Sequence, residues 1–222
     1  MPSINKRDDI FGIDPQTKIG TKFLELIIDN VRQKCGVYFP LLIKISGSDD
    51  YCQKFSAEQF ISLIKLLQNK RVDAIEISYG TMDYALNIFR GDLPADLVLS
   101  KNPIYKTDSK YLKKLWKIFI LPFIKIRLKP FSPMYNLEYA LLAKKYTDIP
   151  VITVGGFRNN EEIKSAINKN VNFVSLCRAL ICEPDFIVKI KENENYKSKC
   201  INCNYCAIMC DSNNITKCYQ NK

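Results

Sequence analysis

The chain has no histidine. No step that needs an imidazole as acid, base or metal ligand can therefore be run by its own residues. No secretory leader is expected either, since the opening residues, MPSINKRDDIFG, hold no apolar stretch. The longest apolar run, IFILPFI at Ile118–Ile124, is interrupted by Pro122 and falls far short of membrane-spanning length. No GxGxxG follows any predicted strand, which weakens a dinucleotide-binding open sheet. Acidic residues are few beside basic ones, 23 against 33, giving a net charge of +10. The excess is mostly lysine spread along the chain, with no RNA-binding or zinc-finger pattern, so it reads as a solvated surface and not a nucleic-acid interface.

The 222 residues, 47% hydrophobic and 25% charged, suit one folded domain or a domain with a short module. Nine cysteines without a secretion signal point to metal or redox chemistry in a reducing compartment, and the expected location is cytoplasmic.

Predicted helices and strands alternate. Apolar residues at helical spacing run from Gln16 to Cys35, with Gly36 as the stop. FPLLIKISG, Phe39–Gly47, reads as a strand buried on both faces, and VDAIEIS, Val72–Ser78, as a second, with a helix from Ser56 between them. After a long irregular stretch come the helix YNLEYALLAKK, a third strand at Ile149–Gly156, the helix NNEEIKSAINK, a fourth strand at Val171–Cys177 and the helix EPDFIVKIKEN. This order predicts an α/β fold with parallel βα connections. Gly155-Gly156 ends the third strand and Cys177-Arg178 the fourth. Glycine lets backbone N–H groups approach an anion and a cation neutralises it, as at the phosphate sites after the last strands of (β/α)₈ barrels.

FPLLIKISGSDD, VDAIEIS, IPVITVGGFR and FVSLCRALICEPDF, followed by CINCNYC, resemble the Old Yellow Enzyme-like NADH:flavin oxidoreductases. The branch containing dienoyl-CoA reductase and trimethylamine dehydrogenase, with an iron–sulfur cluster after the barrel, looks nearest. The resemblance runs from about Asn5 to Cys218, interrupted at about 93–134. It implies a TIM barrel with FMN at the carboxyl ends of the strands. Lys44 falls where the family places a cation beside the flavin N1/O2 edge. Gly155, Gly156 and Arg158 match the loop after strand seven, and Cys177 and Arg178 that after strand eight; together they would hold the FMN phosphate. Asn5-Lys6-Arg7-Asp8-Asp9-Ile10-Phe11-Gly12 matches the segment after strand four, so strands five to eight are expected here. The catalytic proton donor is expected upstream of this chain. The implied organisation is half a barrel over residues 1–195, with an insertion at about 93–134, and a cysteine-rich segment at 196–222. Half a barrel leaves strand edges and an inner face uncovered, so a missing half or a second copy is the expected partner.

Cys200, Cys203, Cys206 and Cys210 have the x₂, x₂, x₃ spacing of bacterial ferredoxins. The flavin family instead uses three close cysteines and a fourth after eleven residues, and eleven residues separate Cys206 from Cys218. The resemblance therefore favours Cys200, Cys203, Cys206 and Cys218 as ligands of a [4Fe–4S] cluster, with Cys210 as the alternative; thiolates also suit zinc. Cys35, Cys52 and Cys182 read as ordinary thiols. The implied activity is FMN-dependent transfer from NAD(P)H to a small-molecule acceptor, ene-reductase-like, in one half of a split or truncated enzyme. The rival readings are an electron-transfer subunit using the cluster alone and a non-catalytic remnant. KYLKKLWKIFILPFIKIRLKPF, Lys110–Phe131, reads either as a helix pair packed over the active site or a partner, or as a membrane-surface helix. Pro122, Pro130 and Pro133 argue for packing by breaking any long amphipathic helix.

Overall fold

The computed structural model describes residues 4–52 and 54–220. Along the chain run α1 (Lys22–Cys35), β1 (Leu42–Ser46), α2 (Ala57–Asn69), β2 (Ala74–Ser78), α3 (Ala85–Phe89), α4 (Ala95–Lys101) and α5 (Lys110–Leu115). A π-helical turn (Trp116–Ile120) leads into α6 (Leu121–Arg127), followed by α7 (Leu137–Lys144), β3 (Val151–Val154) and α8 (Asn160–Asn168). β4 (Phe173–Ser175), α9 (Arg178–Cys182), α10 (Phe186–Glu192) and α11 (Tyr205–Met209) complete the order. Two compact units form: one reaches up to Tyr84 and adds Asn136–Gly155 and Ser165–Ser175, the other holds Ala85–Tyr135, Gly156–Lys164 and the chain from Leu176.

The first unit holds a parallel sheet in the order β1-β2-β3-β4. Each strand lies beside its predecessor, without the order reversal of a doubly wound sheet, so the arrangement is compatible with part of a barrel. Lys44 stands opposite Glu76, Glu76 opposite Ile152, and Ile152 opposite Phe173, placing these four on one face. Ile45, Ile75, Ile77 and Val151 are buried on the other. In α2, Phe60, Ile64 and Leu67 are fully buried at helical spacing. Ser56 begins that helix with a capping box: its hydroxyl accepts from Gln59 N–H at 3.2 Å while the Gln59 side chain accepts from Ser56 N–H at 2.9 Å.

Two sequence expectations are corrected here. β1 is not buried on both faces, because the sheet face it shares with Phe173 is uncovered and Leu42 and Lys44 are exposed there. The first helix starts at Lys22 instead of Gln16. The Asp14 carboxylate accepts from Gln16 N–H at 3.0 Å and Thr17 N–H at 2.7 Å, folding this stretch into a turn. The helix stops as expected at Gly36, whose φ is +86°.

In the second unit, Ala179 of α9 and Phe186 and Ile190 of α10 form a buried cluster with Ile163, Leu176, Leu180 and Tyr196 around it. Here a third expectation is corrected, because Pro122 does not break the helix. Helical structure is continuous from Lys110 to Arg127, and Leu121 N–H donates to Trp116 C=O, five residues back. Pro122 then falls in the first turn of α6. A π turn changes the hydrogen-bond register where proline lacks its donor, so the helix continues. No helix among the described residues is long and apolar enough to cross a membrane.

Candidate functional site: the cysteine cavity

The cysteine segment is fixed in the second unit by polar contacts and by burial of Ile208 and Met209 of α11. Glu183, at the end of α9, is only 4% exposed, and its carboxylate collects four donors. Ser198 Oγ donates at 3.1 Å, Lys199 N–H at 2.6 Å and Lys189 Nζ at 3.0 Å, and Tyr196 Oη also donates. Burial raises the Glu183 pKa, but these hydrogen bonds prevail and hold it down to about 2. The residues just before Cys200 are thus anchored by one buried carboxylate.

The loop around Cys203 is held from both sides. Asn202 and Asn204 are buried and both have φ +58°, a left-handed conformation that asparagine tolerates better than most residues. Arg158 Nη2 donates to Asn202 Oδ1, while its guanidinium lies 4.7 Å from the Phe131 ring centroid. Arg178 Nη1 donates to Asn204 Oδ1 at 2.6 Å and to Arg90 C=O at 2.8 Å, and Nη2 donates to Phe89 C=O. Asn202 C=O accepts from Asp92 N–H at 3.0 Å, and Asn204 Nδ2 donates to Asp92 C=O at 3.0 Å. Gly91 makes this approach possible. Its φ is +129°, and a Cβ there would lie 2.4 Å from Asn202 O.

Sequence reasoning passed over Gly91, Asp92, Glu183, Asn202 and Asn204. The one local signal was the Asn-Cys-Asn alternation, which suits a loop needing left-handed residues between ligands. The Gly91 and Asp92 contacts lie far away in sequence, and those of Glu183 fall at no regular spacing, so neither left a pattern to read.

This framework gathers the thiols. Cys200, Cys203, Cys206 and Cys218 line one cavity of ≈ 50 Å³ together with Cys182 and Arg178. Cys182, expected to be an ordinary thiol, is buried here with Sγ 3.8 Å from Cys218 Sγ. Cys35 and Cys52 are exposed. Cys210 is also exposed, and its thiol turns back to Cys206 C=O at 3.2 Å. Burial pushes the Cys206 thiol up to about 11, with the Arg178 charge acting in the opposite direction. A thiol so placed ionises readily only when a cation enters, so metal binding there would release a proton. Among the described residues, no three Cys, Asp or Glu side chains converge as a single metal ion requires. The thiols ring a cavity instead.

The other expected residues fall as follows. Gly155 and Gly156 end β3 with φ +124° and +82°, and a Cβ on Gly156 would lie 2.6 Å from Ser132 O, so both positions need glycine. Arg158 and Arg178 each donate to an asparagine of the cysteine loop as described. Cys177 is exposed and precedes α9. In the first unit, Lys44 Nζ pairs with Glu76 Oε1 at 2.5 Å, and Ser175 Oγ donates to Glu76 Oε2 at 2.9 Å. The segment from Asn5 to Gly12 closes on itself: Gly12 N–H donates to Asp9 C=O at 2.8 Å, and Asn5 Nδ2 to Phe11 C=O at 2.8 Å.

No family profile matches the chain. Among curated proteins it is 24% identical over 209 residues to a 4,4'-dithiodibutanoate disulfide reductase of Rhodococcus erythropolis, covering 92% of this chain and 49% of the relative. It is 23% identical to an NADH oxidase of Thermoanaerobacter brockii, covering 91% of this chain and 26% of that protein. A third relative, the NADH-dependent flavin oxidoreductase iliE of Hypocrea jecorina (strain QM6a), is 25% identical over 182 residues, 81% of this chain and 37% of the relative. The likeness is to oxidoreductases of the NADH:flavin kind. It does not single out a branch among them. The chain spans half or less of the length of each relative.

Proposed function

We propose that this chain is part of an FMN-dependent oxidoreductase that takes electrons from NAD(P)H and carries a [4Fe–4S] cluster on Cys200, Cys203, Cys206 and Cys218. The observation that carries the reading is the shared cavity: the four thiols favoured by the x₂, x₂, x₁₁ spacing line it, and Cys210 turns away from it. The likeness to NADH:flavin oxidoreductases over most of the chain supports the flavin. A single tetrahedral zinc ion would draw its sulfurs to about 4 Å from one another. The cysteine spacing together with the likeness to NADH:flavin oxidoreductases favours the cluster over zinc.

The residues divide the work. The strained glycines Gly155 and Gly156 allow backbone to come close to a phosphate, and the positive charges of Arg158 and Arg178 would favour the anion through space. Lys44 is the cation assigned to the flavin N1/O2 edge, where it would favour negative charge on the reduced ring. Glu76 tempers that charge by pairing with it. When bound, FMN supplies hydride and single-electron transfer. The proton donor and the other half of the barrel are proposed to come from outside these residues, in agreement with the greater length of the relatives. The uncovered sheet face bearing Leu42, Lys44 and Phe173 is where that half would pack. We further assign the chain to the cytoplasm, on its nine cysteines, which suit a reducing compartment.

One observation favours a second reading, an electron-transfer subunit without flavin. Both arginines assigned to the phosphate have donors engaged elsewhere, Arg158 Nη2 with Asn202 and Arg178 Nη1 and Nη2 with Asn204 and backbone carbonyls. Anaerobic purification with flavin, iron, sulfide and zinc measured on one sample separates the two. About four irons per chain with bound flavin supports the first reading. Iron without flavin supports the second, and zinc alone or no metal sinks both.

A further inference from the structure

The helical segment Lys110–Arg127 has no place in the chemistry above, and its surface is unusual. Leu112, Leu115, Phe119, Phe123 and Ile126 recur at intervals of three and four, and every one is exposed, Phe123 to 71% and Ile126 to 82%. Every charged side chain in the segment is a cation: Lys110, Lys113, Lys114, Lys117, Lys125 and Arg127. The opposite side, with Trp116, Leu121 and Ile124, is half-buried against its own unit, where Lys117 pairs with Asp96.

The segment is also held in shape. Ser109 Oγ accepts from Leu112 N–H at 3.3 Å at its start. At its end, the buried Asn87 donates to Arg127 C=O at 3.0 Å and accepts from Lys129 N–H at 2.8 Å. The exposed apolar row is therefore presented by a preformed helix, and no ordering is needed before it binds.

We propose that Lys110–Arg127 is an interfacial helix that docks this protein on an anionic lipid bilayer. Charge selects that occupant. An apolar row flanked only by cations matches a surface that offers acyl chains beneath a layer of negative headgroups. A second copy of this face would instead oppose like charges. Lys114, Lys125 and Arg127 are exposed and free to meet headgroups, while Phe119, Phe123 and Ile126 enter the boundary below them. The helix lies along the membrane, since no helix among the described residues is long and apolar enough to cross it. The proposal does not depend on flavin or cluster.

The test uses the chain's only tryptophan, Trp116, which sits within this segment. The full chain is mixed with vesicles of phosphatidylcholine containing about 30% phosphatidylserine, and with pure phosphatidylcholine vesicles. Sedimentation should show binding at least about 100-fold tighter to the anionic vesicles, lost in concentrated salt, with a blue shift of Trp116 emission. The charge reversal Lys114→Glu/Lys125→Glu/Arg127→Glu should remove binding. Phe119→Ser/Phe123→Ser should remove the blue shift; both variants change only exposed side chains, and circular dichroism checks their folding. No binding by the unmodified chain, or equal binding to neutral vesicles, overturns the proposal. So does a concentration-dependent dimer dispersed by Phe119→Ser/Phe123→Ser without any vesicle binding, which would assign the face to a second copy.

Discussion

The two compact units solve the same problem by different means. In the sheet unit, position is fixed by burying apolar side chains: Phe60, Ile64, Leu67, Ile75, Ile77 and Val151 are fully buried. In the other unit, the cysteine segment is positioned by hydrogen bonds to Glu183, Asn202, Asn204 and Arg178. Apolar packing tolerates volume-conserving changes, whereas a buried polar network fails when one member is lost. The unit that gathers the thiols should accordingly be the more brittle of the two and the more sensitive to pH.

The sharpest break in that comparison is at the cysteines. Replacing Cys203 or Cys218 with Ser should abolish iron incorporation, while Cys210→Ser should leave it near the unmodified level, as its thiol lies outside the cavity. Iron and sulfide per chain decide this. Loss on Cys210→Ser with retention on Cys218→Ser would reverse the ligand assignment in favour of the ferredoxin run.

On the sheet side, Phe60→Ala should destabilise the first unit by about 4 kcal/mol, because a fully buried ring leaves a cavity that its neighbours cannot fill. Trp116 belongs to the second unit, so its fluorescence reports that unit alone, while circular dichroism reports both. The expected result is an early loss of secondary structure with the Trp116 transition little moved. Coincident shifts of both probes would show that the units unfold together.

The polar side is tested at Glu183. Its carboxyl, ordinarily near 4.5, is held at about 2 in the folded chain. A carboxyl with a depressed folded pKa contributes stability that is complete above its unfolded pKa and is lost as pH falls toward its folded one. The Trp116 transition should therefore weaken between about pH 4.5 and 2, and Glu183→Gln should remove about 2–3 kcal/mol at neutral pH and most of that acid sensitivity. An unchanged acid profile in Glu183→Gln would mean that another group controls it.

The same contrast explains how far the sequence could be read. Repeating apolar runs marked all four strands and helices such as α2 and α7, because burial on a regular element leaves a period. The cysteine spacing left Cys210 and Cys218 open, and the resemblance favoured Cys218; Cys200, Cys203, Cys206 and Cys218 are among the residues that line the cavity, with Cys182 beside them. The period could not show that one face of β1 is uncovered, since exposure of Leu42 and Lys44 depends on what lies over them. Pro122 misled for a related reason: proline's missing donor is a local fact, but the π turn that absorbs it is a property of the whole segment. Asp92 meets Asn204 112 positions away and Glu183 meets side chains and an N–H 6 to 16 positions on, and a single sequence carries no mark of such pairings.

The smallest effect expected returns to the sheet unit, at the start of α2. Ser56 and Gln59 satisfy each other's backbone N–H groups, a reciprocal polar pair within the first unit. If apolar burial dominates that unit, removing the cap should matter only as much as a helix end matters anywhere. Ser56→Ala should lower its stability by about 1 kcal/mol, Ser56→Gly by only a few tenths, and neither should move the Trp116 transition. Gln59 also donates to Lys18 C=O at 3.0 Å, so Gln59→Ala removes a tie to the turn before α1 as well as half of the box. It should exceed Ser56→Ala, and the double variant should lose less than the two singles added together, because both act on one pair. A loss from Ser56→Ala as large as that from Glu183→Gln would break the contrast, making the sheet unit as dependent on polar contacts as the unit that holds the cysteines.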